Sequence, residues 1–262
     1  MTAATRPPPF TGVGVALATF FDESGAVDEA ATADHAARLV DLGVRGVVVA
    51  GSTGEAAALT QDERDRLLAA VQAAVRSARA DVPVLAGTGA AWPGLAVRQT
   101  ERALAGGAAA VLTLSPPRVP DPTPYYRSVV DAAAGMPVLG YHFPAVSPPG
   151  IPLEILPTLP VAGCKDSSGD AERLLRTRAS FDGWLYVGSA VLCSTAGPLG
   201  CTGAILAVAN AEPELASAAF AGDVDAQLRL LPAHADTARR WPHGLKALTA
   251  ARFGTPTAAR MG

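Results

Sequence analysis

Eight times along this chain a short, continuously apolar run is followed by a stretch with helical spacing, and that alternation restricts the fold more than any other feature. The runs at 12–20, 46–50, 82–86, 109–112, 137–141, 161–165, 184–187 and 203–207 read as strands. The helical stretches are 28–41, 60–78, 94–105, 123–134, 152–156, 170–180, 192–199 and 213–221. Asp28 can cap the first, which ends at Gly43, and Thr60-Gln61-Asp62-Glu63 is a capping box for the second. Pro157 should stop the short fifth helix. Strands that are apolar without alternation are buried on both faces, which is the habit of parallel sheets covered by helices. Eight such units fit a closed barrel better than an open sheet. The expected fold is therefore α/β, a (β/α)₈ TIM barrel over residues 1–222. A small C-terminal helical appendage over 223–262 should be broken at Pro232 and Pro242.

A length of 262 residues suits one large domain with such an appendage. No apolar run reaches membrane-spanning length, so a membrane is not an expected partner. The start has no secretory apolar core, and Pro7-Pro8-Pro9 suggests an extended lead-in. Cys164, Cys193 and Cys201 are odd in number and lack metal-type spacing, which favours a reducing, cytoplasmic setting. A net charge of −3 with dispersed arginines argues against nucleic acid as a partner. His35, His234 and His243 are scattered along helical stretches and propose no metal site.

In a parallel barrel the chemistry sits at the C-terminal strand ends. Those ends carry Thr19, the loop Gly51-Ser52-Thr53-Gly54-Glu55, Ser115, Tyr141-His142, Lys165, Gly188-Ser189 and Ile205. The set is short of metal ligands, rich in hydroxyls, and contains one amine. The chain holds two lysines, Lys165 and Lys246, against nineteen arginines. A lysine used so sparingly suggests a task that arginine cannot perform, which is to lose its proton when buried and attack a carbonyl. The blander reading is a lysine that snorkels to solvent or pairs with Asp166. The Gly51–Glu55 loop can converge backbone N–H groups and the hydroxyls of Ser52 and Thr53 on a carboxylate, or can be only a tight turn. Tyr141 can shuttle a proton beside the amine, or simply fill the barrel mouth. His142 should face the other way and serve packing, because strand side chains alternate. Taken together, lysine, phenol and hydroxyl loop suit a 2-oxo acid held as a Schiff base on Lys165, with no separate cofactor or metal.

Four segments carry a resemblance: Gly51-Ser52-Thr53-Gly54-Glu55, Tyr141-His142-Phe143-Pro144, Gly163-Cys164-Lys165-Asp166-Ser167-Ser168-Gly169, and Gly203-Ala204-Ile205 followed by Ala209-Asn210. In order and spacing the chain resembles the dihydrodipicolinate synthase / N-acetylneuraminate lyase family of pyruvate-dependent class I aldolases, over about residues 10–255. The resemblance implies Lys165 as Schiff-base nucleophile, Tyr141 as proton shuttle, and Thr53 with the loop amides on the pyruvate carboxylate. Ser52 falls where the family carries a relay hydroxyl, and Ile205 would line the pyruvyl group through its backbone. Gly188, at the end of strand seven, is a further substrate-binding candidate by its place in the barrel. The resemblance also implies a barrel with a C-terminal helical part, assembled as a homodimer or homotetramer.

Departures from the family bear on the substrate. The synthases carry Pro-Tyr-Tyr after strand four, and this chain has Ser115-Pro116-Pro117-Arg118. Arg118, Tyr125 and Tyr126 are candidates to replace the missing tyrosine. An arginine expected after the Tyr-Asn-Val-Pro-type motif is absent, since Ala145 and Val146 follow Pro144. The leading expectation is an aldolase or lyase acting on a 4-hydroxy-2-oxo acid, such as a 2-keto-3-deoxy sugar acid, with pyruvate and an aldehyde as partners. The alternatives are a 4-hydroxy-tetrahydrodipicolinate synthase with an altered relay, and a non-catalytic barrel that binds an oxo acid.

Overall fold

In the computed structural model, which describes residues 6–262, each apolar run pairs with the next until the sheet closes on itself. Residues 1–5 of the expected lead-in lie outside the described residues. The strands are β1 (Gly12–Ala16), β2 (Val47–Val49), β3 (Val84–Gly87), β4 (Val111–Leu114), β5 (Val138–His142), β6 (Gly163–Asp166), β7 (Trp184–Val187) and β8 (Gly203–Leu206). All pairings are parallel, and β8 returns to β1 with Gly203 opposite Gly12. The helices are α1 (Glu29–Asp41), α2 (Gln61–Ala78), α3 (Pro93–Ala105), α4 (Thr123–Ala132), α5 (Ala171–Ser180), α6 (Cys193–Ala196), α7 (Pro213–Phe220), α8 (Val224–Arg239) and α9 (His243–Phe253). This is the (β/α)₈ barrel with C-terminal helices that the alternation predicts.

The two faces of each strand build two cores. Outward residues such as Val47, Val49, Val111 and Cys164 pack against the helices through Leu39, Leu67, Val71 and Tyr126. Inward residues Val48, Leu85, Leu112, Leu139 and Ile205 fill the barrel, with Tyr141 and Tyr186 among them. Phe10 plugs the N-terminal end, its ring 4.9 Å from that of Tyr186, whose hydroxyl donates to the Phe10 carbonyl at 2.7 Å. Each side chain fully buried in this way stabilises by about 1.5–3 kcal/mol relative to leaving it exposed.

Capping follows the sequence closely. The Asp28 side chain accepts from the Ala31 N–H, and Thr60 and Glu63 form the reciprocal capping box of α2. Five expectations need correction. The first strand ends at Ala16 rather than at 20, because Ala16 O and the Ala18 N–H are taken by the Asn210 side chain. The helix expected over 152–156 is a turn followed by a 3₁₀ turn at Leu156–Thr158. Pro152 and Pro157 leave too few N–H donors between them for an α-helical ladder. The helix expected over 192–199 is shorter, with a 3₁₀ turn at Ala190–Leu192 and then α6, ended by Gly197-Pro198. The fourth strand lies at Val111–Leu114 rather than 109–112, because polar Thr113 pairs in register with Gly140 and extends the ladder. Pro232 does not break the appendage, since α8 runs through it. Pro232 is exposed, and the carbonyl it leaves without a partner belongs to Leu228, itself 59% exposed, so water can satisfy it.

Candidate active site

β6 sets the site by alternation. Gly163 and Lys165 face the barrel interior, and Cys164 and Asp166 face the helices. Asp166 is taken by Arg173 of α5, with Nε 2.7 Å from Oδ2, and its other oxygen accepts from the Ser168 N–H at 2.8 Å. Lys165 therefore neither pairs with Asp166 nor reaches solvent: it is 4% exposed. Burial above the apolar barrel layer pushes its pKa from the ordinary 10.5 down to about 7.

Tyr141 of β5 lies directly opposite Lys165 in the ladder, and both side chains point inward. The lysine Nζ stands 4.3 Å from the centroid of the phenol ring. Burial raises the phenol pKa to about 12, against the opposing pull of the Ser167 and Ser52 hydroxyls. Ser167 Oγ donates to the Tyr141 oxygen at 3.4 Å. Gly188, after β7, is glycine for space. A Cβ there would stand 2.7 Å from Lys165 Cε and would overlap Ser167 Oγ. Ile205 is fully buried in the same interior cluster as Tyr141. Lys165, Tyr141, Ser52 and Gly188 are thus gathered by contact, whereas Ile205 shares only the interior cluster, which also reaches Phe10 at the other end of the barrel.

The loop after β2 is more than a tight turn. Residues Ser52–Gly54 form a 3₁₀ turn, followed by Glu55 in the left-handed region at φ 54° and a second 3₁₀ turn at Ala56–Ala58. Thr53 is buried within it. The Thr19 hydroxyl donates to the Gly54 carbonyl at 2.8 Å, and a Cβ on Gly54 would stand 2.9 Å from that hydroxyl. Thr19 is thus a brace rather than a ligand. Asn210 braces the adjacent seam: its amide donates to Ala16 O and Ala207 O, and its oxygen accepts from the Ala18 N–H.

The other candidates fall away from the amine. His142 faces outward, where Nδ1 accepts from the Ile151 N–H at 2.8 Å and burial lowers its pKa to about 4. It is a neutral packing group, as alternation predicts. Tyr125 and Tyr126 belong to the outer core. Tyr126 donates to Thr113 O at 3.1 Å and Tyr125 to Leu114 O at 3.2 Å, so neither phenol replaces the missing relay tyrosine. Arg118 is exposed on the loop after β4, with φ 63°. Among the described residues no cluster of three or more His, Cys, Asp or Glu could hold a metal. Sequence reading assigned nothing to Ser167. The signal was its spacing: two residues beyond Lys165, it returns to the same face of the strand.

A model of the dihydrodipicolinate synthetase family matches residues 9–246. Among curated proteins, the chain is 38% identical over 213 residues to an uncharacterised DapA-like lyase of Halobacterium salinarum, covering 78% of this chain and 69% of that one. It is 36% identical over 231 residues to the 4-hydroxy-tetrahydrodipicolinate synthase of Natronomonas pharaonis, covering 82% and 76%. The dihydrodipicolinate synthase structure from Agrobacterium tumefaciens superposes with a TM-score of 0.83 at 25% identity, covering 96% and 93%. YagE from E. coli K12, a prophage protein of the same family solved with pyruvate, shares the fold with a TM-score of 0.86 at 23% identity, covering 95% and 91%. By the extent of these matches and by its barrel, the chain belongs to the dihydrodipicolinate synthetase family, and it is an enzyme of the lyase class.

Proposed function

We propose that the protein is a Schiff-base-forming, pyruvate-dependent aldolase acting on a 4-hydroxy-2-oxo acid. The observation that carries the reading is Lys165, a buried amine with a pKa near 7 whose Nζ lies 4.3 Å from the Tyr141 ring. The neutral amine attacks the ketone carbon of pyruvate, and the resulting carbinolamine loses water to give an iminium. That cation draws electrons from the adjacent methyl carbon, which loses a proton to form an enamine. The enamine adds to an aldehyde carbonyl, whose oxygen takes up a proton, and water then hydrolyses the iminium to free the 4-hydroxy-2-oxo acid and the amine; in the cleavage direction the same steps run backward. Tyr141 is neutral at working pH and can pass a proton by donating one O–H while accepting from Ser167 or Ser52. Thr53 and the amides of its 3₁₀ turn would receive the carboxylate, and Ile205 would wall the pyruvyl group.

A 2-keto-3-deoxy sugar acid is the substrate class we favour over dihydrodipicolinate synthesis. Support comes from the strand-four and strand-five ends. Tyr125 and Tyr126 are committed to the outer core, and the residues after Pro144 are the uncharged Ala145 and Val146. The residues that follow Pro144 bring no cation for a second carboxylate-bearing substrate, and the charge beside that loop is the exposed Arg118, whose backbone N–H donates to Pro148 O at 2.6 Å. The names of the curated relatives keep the synthase as the second reading. A homodimer or homotetramer in the cytoplasm belongs to the same proposal.

Borohydride reduction in the presence of pyruvate should add the pyruvyl mass to the peptide containing Lys165 and leave Lys246 unmodified. No adduct would remove both Schiff-base readings together. If the adduct forms, turnover with 2-keto-3-deoxygluconate against aspartate semialdehyde decides between the two.

A further inference from the structure

The second lysine of the chain is also buried, and it leads to the back of the carboxylate loop. Glu55 is fully buried in a left-handed conformation that costs a non-glycine residue of the order of 1–2 kcal/mol. Glycine would adopt it freely, so the side chain must return something. Its carboxylate is held from three sides. Lys246 Nζ of α9 stands 2.6 Å from Oε1, and the backbone N–H groups of Arg260 and Met261 donate to Oε2 at 2.8 and 2.7 Å.

The segment that delivers those two amides is itself fastened. The Arg260 guanidinium donates to Gly25 O at 2.7 Å, to Ala58 O at 2.9 Å and to both oxygens of Glu63 at 2.9 and 2.6 Å. It also covers the face of Phe21, 4.7 Å from the centroid, beside Lys246 Nζ at 4.4 Å. Glu63 is the capping-box residue of α2, and its pairing with Arg260 lowers its pKa to about 2. The residues after α9 thus tie the β1–α1 connection to the neighbouring start of α2, and the buried carboxylate of Glu55 is their central anchor.

Glu55 separates the turn at Ser52–Gly54 from the turn at Ala56–Ala58. Thr19 fixes the first turn at Gly54, and the carboxylate fixes the residue that follows. We propose that Glu55, Lys246 and Arg260 are positioning residues. They hold the left-handed bend that aims Ser52, Thr53 and the loop amides into the mouth, and so they set the affinity for the 2-oxo acid carboxylate without touching it. This rests on the Schiff-base reading of Lys165, and the test separates the two. A lock of this kind acts on binding. The amine pKa depends on the barrel interior, which the lock does not line.

The experiment is borohydride trapping on Lys165 across a range of pyruvate concentrations, in the full chain and its variants. Glu55→Gln and Arg260→Ala should raise the half-saturating pyruvate concentration about tenfold, the scale of one charge-assisted contact. The trapped fraction at saturation and its pH midpoint near 7 should not move. Glu55→Gly relieves the backbone strain but removes the anchor, so it should show the same loss of affinity. If Glu55→Gly saturates like the parent, the bend alone suffices and the lock is wrong. Arg260→Lys keeps the charge without the fork and serves as the mildest variant, with an expected rise of about threefold. Parental saturation in Arg260→Lys and Arg260→Ala overturns the proposal, as does a shift in pH midpoint in place of affinity. A parent chain that traps no pyruvate overturns the aldolase reading itself.

Discussion

At neutral pH an ordinary lysine offers about one neutral amine in a few thousand molecules, whereas one with a pKa near 7 offers about half. The fold achieves this by burial rather than by a neighbouring cation, so the reactivity and the destabilisation have one origin. Trapping of pyruvate should accordingly rise through about pH 7 and level off above it. The linkage has a definite sign. The folded pKa lies below the unfolded one, so between about 7 and 10.5 the unfolded chain binds more protons, and this group's contribution to stability improves as pH rises across that window. Below about 7 the penalty is felt in full. Lys165→Met should therefore abolish trapping while raising the melting temperature by a few degrees at pH 6, with the gain shrinking toward pH 10. Unchanged melting at pH 6 would mean that water reaches the amine. Tyr141→Phe tests the phenol in a complementary way. It removes the O–H that faces Ser167 but keeps the ring against the lysine, so turnover should fall by about 10²–10⁴ while trapped pyruvate at long times stays near the parental level. Equal turnover in parent and variant would assign the proton transfers elsewhere.

The elements place these side chains through register, and register was only half legible. That Lys165 stands near the end of a strand follows from an apolar run closing on a polar loop. That Tyr141 lies opposite Lys165, with Tyr186 on the other side, is a fact about two ladders that no single segment contains. Strands three to six begin and end a residue or two later than the apolar runs suggest, because the ladders start where a neighbour is in register and run on to Gly87, Leu114, His142 and Asp166. Pairing, not hydrophobicity, decides where a parallel strand stops. Ser167 lies just past the end of β6, and its segment alone does not show that its hydroxyl turns back to Tyr141. Gly188 shows what an element end can demand. A methyl there meets Lys165 Cε at 2.7 Å, and the overlap with Ser167 is worse. Gly188→Ala should fold, since the position is at the mouth of the barrel, but should cut the trapping rate at least tenfold by displacing the amine from the phenol. A crystal structure of the variant should show the Lys165 chain moved. Parental trapping would mean that the site tolerates a repacked lysine.

At the scale of the whole molecule, the alternation of runs and helices sufficed for the barrel, because a chain with eight doubly buried strands has few other ways to cover them. It could not reveal the long-range ties, such as Lys246 to Glu55 or Asn210 to Ala16. Those ties join residues 191 and 194 positions apart, and each end looks ordinary alone. Phe10 is another such tie, and it separates stability from chemistry. Its ring fills the N-terminal end of the barrel, where a Cβ on Gly14 or on Gly46 would run into it. Between this plug and the amine lies the layer of Val48, Leu85, Leu112, Leu139 and Ile205. In a barrel the N-terminal face supports the fold and the C-terminal face holds the chemistry. Phe10→Ala should then cost about 3–5 kcal/mol in denaturant unfolding, the usual price of emptying a buried aromatic site. It should leave the pH midpoint of trapping near 7, because the intervening layer still keeps water from the amine. Coincident measurement of both quantities makes the test sharp. A stability loss with a fixed midpoint supports two independent ends. A midpoint that climbs toward 10.5 would show water passing up the barrel through the vacated plug, and the lysine's lowered pKa would then be a property of the whole closed sheet rather than of its upper layer.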